Sequence, residues 1–374
     1  MKMQVKIITR HSPANYGSLL QSIATQKLVE QIGYSNEIID YISKEETGIR
    51  IAFTQLKGKT EWNHNLLKKI AYIIMREPEN LIMYCKFAKM RRKYLLMTKR
   101  FSSYIELEEY FKNSEDIFMT GSDQVWGPVS TGKHNLVYFL NFVPNRCKKV
   151  AFAASFGKAK FDENIIQEYK KYLVQYDNIA VRENTAVKIL KEINIDAKQV
   201  LDPTLLIDST AWVKYIKKDK KETEEYILIY QIHNDPKLNQ YAKKFASKTK
   251  LKLIRVSPIL HQIKRGGKFV YLPDISEFLS LIKNAKYLIT DSFHGTAFAI
   301  NFNTQFIEIL PNTGTSSRNQ SILKLTELED RVLTDLEDFS YIDSQIDFSK
   351  VNKIIQKNRE ESIEYLKKFI TIED

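Results

Sequence analysis

Short apolar runs alternate along the chain with longer segments in which apolar residues recur every three or four positions. The short runs are typical of buried strands and the longer segments of helices. In the first half, the pattern predicts strands at residues 4–9, 37–42, 116–120, 149–154, 179–181 and 200–201, and helices at 16–32, 106–113 and 184–193. In the second half, it predicts strands at 226–231, 251–256, 286–290 and 305–310, and helices at 237–248, 275–284 and 317–328. Such alternation predicts an α/β fold built on parallel sheets.

The length of 374 residues exceeds what one ordinary core accommodates, so two domains are expected. An almost wholly charged stretch at 217–225 is typical of an exposed connector. We therefore predict two Rossmann-like domains facing a cleft, an N-terminal one over residues 1–216 and a C-terminal one over 217–350. A final helix within 351–374 is predicted to cross back onto the first domain.

A basic helical insertion is predicted in the first domain, at about residues 50–100. The formal net charge is +12, and residues 57–100 contain twelve Lys or Arg against three Glu. The apolar residues between them recur at helical spacing, which predicts one or two amphipathic helices. Three interpretations are open: a solvated insertion that packs on its own domain, a membrane-surface contact and a nucleic-acid contact. We expect no nucleic-acid partner, since no known nucleic-acid motif accompanies the charge.

Composition narrows the chemistry further. Only Cys85 and Cys147 occur, in neither a metal-type spacing nor a Cys-x-x-Cys pair, so we expect no metal site and no disulfide framework. A Gly-x-Gly-x-x-Gly loop is absent, which argues against a nicotinamide or flavin cofactor. The sequence contains neither the hydrophobic core of a signal peptide nor an apolar run long enough to span a membrane. These features predict a cytoplasmic protein that works without a cofactor.

The most informative loop follows the third predicted strand of the second half. Asp291, Ser292 and His294 come directly after that strand, and Gly295 permits close approach of a ligand before Thr296 opens a helix. Ligand sites of α/β proteins lie at such strand ends, and the free N–H groups at a helix start bind anions. His294 can transfer a proton near neutral pH. Asp291 and His294 could instead merely cap the helix, but their clustering favours a functional site.

The loop after the first predicted strand combines polar groups with a glycine, in the order Asn15, Tyr16, Gly17, Ser18. Gly17 permits close approach of the backbone to a ligand, and the side chains of Asn15 and Ser18 can form hydrogen bonds with a polar ligand. A plain helix N-cap explains the same residues equally well.

A third loop follows the predicted strand at 116–120 and contains Asp123, Gln124 and Trp126. A carboxylate, an amide and an indole suit the hydroxyls and the apolar face of a sugar ring. The alternative is a turn in which Trp126 belongs to the core.

Two arginines also lie at strand ends or helix starts. Arg182 ends an apolar strand and can pair with a carboxylate or a phosphate in two places at once, although a salt bridge to Glu183 is the ordinary alternative. Ser317 and Arg318 open a later helix, where hydroxyl, N–H and guanidinium groups would form a second anion-binding arm.

Taken in order, these strings resemble the polysaccharide pyruvyl transferase family over nearly the whole chain. No single string is specific, but the ordered set is. The strings are Asn15-Tyr16-Gly17-Ser18-Leu19-Leu20-Gln21, Gly121-Ser122-Asp123-Gln124-Val125-Trp126, Ala153-Ala154-Ser155-Phe156-Gly157, Val181-Arg182-Glu183, Leu201-Asp202-Pro203-Thr204 and Thr290-Asp291-Ser292-Phe293-His294-Gly295-Thr296.

The resemblance implies a GT-B-like fold and transfer of a pyruvyl group from phosphoenolpyruvate to a sugar, as a ketal. The family His before Gly-Thr falls on His294 and is implicated in donor binding or catalysis, and the Arg of the Val-Arg-Glu string falls on Arg182. Some members carry an Arg two residues before that His, where this chain has Ser292. Arg318 and Arg265 are the candidates to replace it.

From these residues we predict His294 as the proton-handling group and Asp123 as the group that orients or deprotonates a sugar hydroxyl. The predicted donor-binding residues are Arg182, Ser292, Gly295, Thr296, Ser317 and Arg318. The predicted acceptor-binding residues are Asn15, Tyr16, Gly17, Ser18, Gln124 and Trp126. If the acceptor sugar is carried on a polyprenyl diphosphate, the basic insertion would contact the inner face of the plasma membrane. A nucleotide-sugar glycosyltransferase and an inactive relative that binds a sugar or an anion are the alternatives.

Overall fold

The computed structural model describes residues 3–47, 50–57, 60–127, 134–217, 224–311 and 316–371, which form two parallel β-sheets covered by helices. The first sheet has the strand order β2-β1-β3-β4-β5-β6 and contains β1 (Val5–Ile8), β2 (Asn36–Ile38), β3 (Ile117–Thr120), β4 (Lys149–Ala154), β5 (Asn178–Val181) and β6 (Lys198–Gln199). The second has the order β11-β10-β7-β8-β9 and contains β7 (Tyr226–Tyr230), β8 (Lys252–Ser257), β9 (Lys268–Tyr271), β10 (Tyr287–Thr290) and β11 (Gln305–Glu308). The predicted α/β fold with two Rossmann-like domains is confirmed.

Fourteen α-helices lie between or after these strands within the described residues. They are α1 (Tyr16–Gln31), α2 (Arg50–Lys57), α3 (Thr60–Asn63), α4 (Leu66–Tyr94), α5 (Tyr104–Phe111), α6 (Glu163–Leu173), α7 (Asn184–Glu192), α8 (Pro203–Leu206), α9 (Ser209–Val213), α10 (Pro236–Thr249), α11 (Ile275–Lys283), α12 (Phe293–Phe302), α13 (Ser317–Leu325) and α14 (Phe348–Ile370). None of the described helices is both long and apolar enough to cross a membrane.

The strand order places a ligand-binding edge in each sheet. In the first sheet the chain runs outward from β1 to β2 and then returns to β3 on the other side of β1. In the second sheet β7, β8 and β9 run one way, and β10 returns to the other side of β7. The loops at the carboxyl ends of β1 and β3, and of β7 and β10, therefore diverge and leave a crevice between them.

Direct contacts join the two sheets and their helices. The Tyr16 hydroxyl, at the start of α1, donates to Pro273 O at 2.7 Å, and its ring stacks on Phe278 of α11 with centroids 4.3 Å apart. The last helix, α14, packs on the first half of the chain, where Ser362 Oγ accepts from Leu201 N at 3.1 Å. Residues 218–223 of the predicted connector lie outside the described residues.

The basic insertion is helical, as predicted, and consists of α2, α3 and α4. Asn65 caps α4 by accepting from Leu67 N at 2.8 Å. One side of α4 packs inward, with Phe87 fully buried 5.1 Å from the ring of Tyr16. The sequence pattern missed helix α6 and strand β9, a four-residue edge strand whose residues are half-buried or exposed.

Candidate functional site

A polar cavity of about 300 Å³ lies between the carboxyl ends of the two sheets. Loops after β1, β3, β7 and β10, and the start of α13, form its walls. The charged and polar side chains that line it are Arg10, Asn15, Ser18, Asp123, Gln124, His233, Asp291, Ser292, His294, Arg318 and Asn319. Loops that are up to about three hundred residues apart in the sequence thus meet at the crevice expected for a parallel α/β fold.

His294 is held in this cavity by the first turn of α12. Ser292 is the N-cap, and its Oγ accepts from Gly295 N at 3.2 Å, while Ser292 O accepts from Thr296 N at 3.0 Å. Thr296 Oγ1 donates to the carboxyl of Glu308. The N–H groups of Gly295 and Thr296 are therefore satisfied within the protein, which corrects the prediction that they contact an anionic donor.

The imidazole of His294 faces acidic side chains on the other domain. Its Nε2 lies 3.9 Å from Asp202 Oδ2 and has no hydrogen-bond partner among the described residues, although the residue is buried. Burial lowers the pKa of His294, and Arg182 and Arg318 lower it further, against the opposing effect of Asp202 and Asp123. His294 is thus neutral at pH 7, with an unpartnered nitrogen in a buried polar site.

Gly17 allows this approach between the two domains. A Cβ atom added at Gly17 would lie 2.1 Å from His294 Nδ1, far inside van der Waals contact. The first turn of α1, capped by Asn15 Oδ1 accepting from Gly17 N at 2.7 Å, therefore packs flush against the imidazole. Gly17 must therefore be glycine because the imidazole leaves no room for a Cβ atom, and its N–H also donates to the N-cap residue Asn15.

Replacing Gly17 by alanine is expected to lower the free energy of unfolding by about 1–3 kcal/mol, because the new methyl overlaps the imidazole. Urea denaturation measures the change. The double variant Gly17→Ala/His294→Ala removes the overlap and should recover most of the lost stability. Additive effects of the two substitutions would show that the close approach is not what requires glycine.

Asp123 is held as an anion between the two halves of the cavity. Its Oδ2 accepts from Ser18 Oγ at 2.8 Å, and its Oδ1 lies 3.6 Å from Arg182 Nη2. Burial alone would raise its pKa, but Arg182, His294 and Arg318 together lower the pKa of Asp123 to about 2. Its φ of +77° lies in the left-handed region that non-glycine residues seldom adopt. Such a carboxylate is a weak base, which favours orienting a hydroxyl over deprotonating it.

Arg182 lies behind the cavity rather than in its wall. Its guanidinium donates to Asp202 Oδ2 at 2.7 Å and stacks 4.6 Å from the ring of Phe293, which itself lines the cavity. Glu183 Oε2 lies 3.8 Å from its Nε. Because three carboxylates already surround this buried cation, the structure gives it the role of holding Asp123 and Asp202 in place. This revises its predicted contact with the donor.

Two other arginines reach the cavity. Arg318 was predicted; the Gln124 amide oxygen accepts from its Nη2 at 2.7 Å, in the amide orientation that this pairing requires. Burial and the neighbouring Arg182 lower the pKa of Arg318 to about 10, so it stays charged at pH 7. Arg10 was missed; it follows β1 and pairs with Glu46 at 3.1 Å. Its position directly after a strand end was the signal that could have identified it.

The structure also shows the surroundings of three further residues that the sequence singled out. Asp291 organises the loop after β7 by accepting from Ile232 N at 2.7 Å and His233 N at 2.9 Å. Ser317 begins α13, and its Oγ has no hydrogen-bond partner within the described part of the chain. Arg265 bonds Gln231 at 2.6 Å, away from Ser292.

Two predicted acceptor contacts belong to the core. Trp126 is fully buried against Phe139 and Phe156, with ring centroids 6.1 and 5.2 Å away. Tyr16 is fully buried between the domains. Neither Trp126 nor Tyr16 is among the described residues that line the cavity, so neither ring can stack on a sugar there. Here the core alternative replaces the predicted sugar contact.

A second cavity of about 380 Å³ adjoins the first and shares Pro13, Asn15 and Ile232 with it. It lies between the inner side of α4 and the loops after β7 and β8. Most of its surface is apolar, and its apolar side chains include Ile51, Met83, Tyr84, Pro258 and Ile259. The crevice therefore has a polar and an apolar compartment that meet at Asn15.

Solved structures of low sequence identity share this two-domain architecture. Trehalose-6-phosphate synthase OtsA aligns with a TM-score of 0.57 at 8% identity, covering 99% of each chain. MnaA of S. aureus, solved with UDP, aligns with a TM-score of 0.52 at 10% identity, covering 97% of this chain and 91% of its own. At such identities the likeness shows the fold alone.

Comparison with curated protein sequences finds no match. The sequence model of the family described as polysaccharide pyruvyl transferase matches residues 15–313, from the loop that caps α1, through Asp123, Arg182 and Asp202, to the chain beyond His294. This span covers most of the chain and most of the residues that line the polar cavity; Arg10, Pro13, Arg318 and Asn319 lie outside it. The chain therefore belongs to the polysaccharide pyruvyl transferase family.

Proposed function

We propose that this protein transfers a pyruvyl group from phosphoenolpyruvate to two hydroxyls of a sugar, forming a ketal and releasing phosphate. The observation that carries the proposal is the polar cavity, in which a neutral, unpartnered His294 lies among fixed carboxylates and next to Arg318. Family membership supports a transferase, and the charges in the cavity support an anionic donor.

The donor carries a carboxylate and a phosphate and requires cations. Arg10 and Arg318 line the cavity from opposite domains, whereas Ser317, which precedes Arg318 at the start of α13, has an unpartnered but buried hydroxyl and is not among the described residues that line the cavity. We assign Arg10 and Arg318 to donor binding, with Arg318 as the principal contact. Ser292 stands where some family members have an arginine, and Arg318 supplies the charge in its place.

The reaction needs one proton donor and two attacking hydroxyls. Protonation of the donor's methylene carbon makes it a methyl group and leaves a cation-like centre at the neighbouring carbon. One sugar hydroxyl attacks that carbon, and its proton replaces the one consumed. The bond from this carbon to the phosphate oxygen breaks, a second hydroxyl attacks, and its proton leaves with phosphate.

We assign the proton transfers to His294 and the orientation of the sugar hydroxyl to Asp123. The negative charges of the bound donor would raise the pKa of His294 from its lowered value, so that it can hold the proton that the methylene carbon takes up. Asp123, with a pKa of about 2, accepts a hydrogen bond from the sugar without taking its proton. The acceptor then extends past Asn15 into the apolar compartment.

Replacing Arg318 by glutamine is expected to raise the KM for phosphoenolpyruvate about 10- to 100-fold, because a charge-assisted hydrogen bond to the donor is lost. Phosphate release from phosphoenolpyruvate, with a panel of glycosides as acceptors, provides the assay. Arg318→Lys should recover only part of the affinity, since lysine keeps the charge without the planar fork. The exposed Arg146→Gln serves as the matched control and should leave the KM unchanged.

The same assay decides between pyruvyl transfer and the alternatives. Phosphate release that requires both an acceptor and Arg318 would support the proposal. Turnover of a nucleotide sugar without any phosphoenolpyruvate reaction would replace it with a glycosyltransferase. Phosphoenolpyruvate binding without turnover, for any acceptor, would identify an inactive relative that binds the anion.

A further inference from the structure

One side of α4 exposes an unusual number of large apolar side chains. Their exposed fractions run from 46% to 76%, whereas large apolar side chains are mostly buried in folded proteins. The side chains are those of Leu66, Leu67, Ile70, Ile74, Met75, Leu81 and Ile82. We call these seven residues the α4 apolar face. A contiguous apolar surface of this kind marks an interaction site rather than scattered exposure.

The α4 apolar face is additional to the side of the helix that packs on the protein. The inward side carries Tyr72, Met83, Phe87 and Met90, all buried. The exposed residues recur at spacings of four and seven, as in Leu66, Ile70 and Ile74 or in Leu67, Ile74 and Leu81. Since such spacings return to one side of a helix, α4 has two apolar sides, and its fold requires only one of them.

Basic residues accompany the α4 apolar face. Helix α4 contains eight Lys or Arg and two Glu. Lys68, Lys89, Arg92 and Lys93 are exposed, whereas Arg76 pairs with Glu79. A helix that combines an exposed apolar side with basic residues binds at the interface of an anionic bilayer.

We infer that the α4 apolar face docks this protein on an anionic membrane surface. A second copy of the chain is a poorer occupant, because a two-fold contact through α4 would bring the basic residues of both copies together. Docking through α4 would hold the apolar compartment, which lies under the inner side of the same helix, close to the bilayer. The inference does not depend on which donor the polar cavity binds.

Flotation with phosphatidylcholine vesicles, with and without phosphatidylglycerol, tests the docking. The wild-type chain should bind the anionic vesicles, and added salt should weaken the binding. Leu67→Ser/Ile74→Ser should lower the partition coefficient about tenfold or more. Ile105→Ser/Val174→Ser, which removes two equally exposed apolar side chains elsewhere, should leave it unchanged.

A pair of charge variants tests the anionic requirement. Lys68→Glu/Lys89→Glu should lower binding to anionic vesicles about tenfold, because each basic residue contributes to attraction by the surface potential. Lys171→Glu/Lys191→Glu makes the same charge change on α6 and α7 and should have a much smaller effect.

Three results would overturn the inference. These are failure of the wild-type chain to bind anionic vesicles, undiminished binding by Leu67→Ser/Ile74→Ser, and a dimer in light scattering that the same variant converts to a monomer. The last would assign the face to a second copy. Phosphate release with a soluble glycoside, measured in parallel, should be unchanged in all four variants and separates loss of docking from loss of activity.

Discussion

Replacing His294 by alanine is expected to lower acceptor-dependent phosphate release about 10²- to 10⁴-fold, the usual contribution of a positioned acid or base. The physical reason is that the Nε2 atom of His294 is buried, unpartnered and directed at Asp202 Oδ2, 3.9 Å away. His233, the other imidazole of the described cavity wall, is half-buried, and its Nδ1 lies 3.3 Å from Asp291 Oδ2. Initial rates at saturating donor concentration measure the effect.

The matched variants separate chemistry from folding. His294→Gln keeps a side chain of similar bulk and cannot transfer the proton, so it should be as inactive as His294→Ala. His64→Ala removes an exposed imidazole outside the cavity and should retain full activity. Calorimetric binding of phosphoenolpyruvate shows whether the donor site survives. Activity within threefold of the wild type in His294→Gln would remove His294 from the proton transfers.

The fold and the place of the candidate site at the carboxyl ends of the strands could be predicted, because both follow from local patterns. A run such as Tyr287–Thr290 is apolar throughout, since a strand in a parallel sheet is covered on both faces. Polar residues that follow such runs necessarily come to the carboxyl edge of the sheet. That reasoning located His294, Asp123 and Arg318 near one another in the crevice, although they lie far apart in the sequence.

The direction of each side chain could not be predicted in the same way. Tyr16 and Trp126 occur in polar loops, but their rings are buried by residues distant in the sequence, such as Phe278 for Tyr16. Arg182 depends in the same way on Asp202, which follows a later strand. Whether a strand-end residue faces the ligand or the interior is decided by tertiary partners that one sequence does not identify.

In helix α4, too, the sequence did not show which side chains are buried. Helical spacing predicted its amphipathic character, but apolar residues such as Phe87 and Ile74 could not be divided into buried and exposed sets. The structure makes that division, because Phe87 packs on Tyr16 and Ile74 does not pack inward. A membrane-surface contact was one interpretation of the sequence. The residues that would form this contact can be identified only from the packing of α4.

Replacing Arg182 by methionine is expected to lower the free energy of unfolding at pH 7 by about 3–5 kcal/mol, the usual cost of leaving buried charges unpaired. Asp202 and Glu183 are almost fully buried, and Asp123 nearly so. Of the described basic residues, Arg182 is the one within 4 Å of all three carboxylates. Urea denaturation with a constant m-value measures the change.

The pH dependence identifies the cause of this destabilisation. Burial alone would raise the pKa values of Asp123 and Asp202, but Arg182 is the largest of the opposing effects and lowers both; together with His294 and Arg318 it lowers the pKa of Asp123 to about 2. Lowered carboxyl pKa values stabilise the folded state above the unfolded pKa, near 4, and that stabilisation is lost as the pH falls towards 2. In Arg182→Met the buried carboxyls should take up protons, so the difference from the wild type should shrink between pH 7 and pH 4.

Paired variants test whether charge, rather than lost packing, is responsible. Arg182→Met/Asp202→Asn removes one of the carboxylates that Arg182→Met leaves unpaired, and the amide oxygen of Asn can still accept from Thr204 N. The double variant should therefore be more stable than Arg182→Met alone. Arg331→Met removes a buried arginine whose partner, Asp330, is largely exposed, and should cost less. A pH-independent loss, unrelieved by Asp202→Asn, would show that Arg182 acts through packing on Phe293 and not by compensating the carboxylates that face His294.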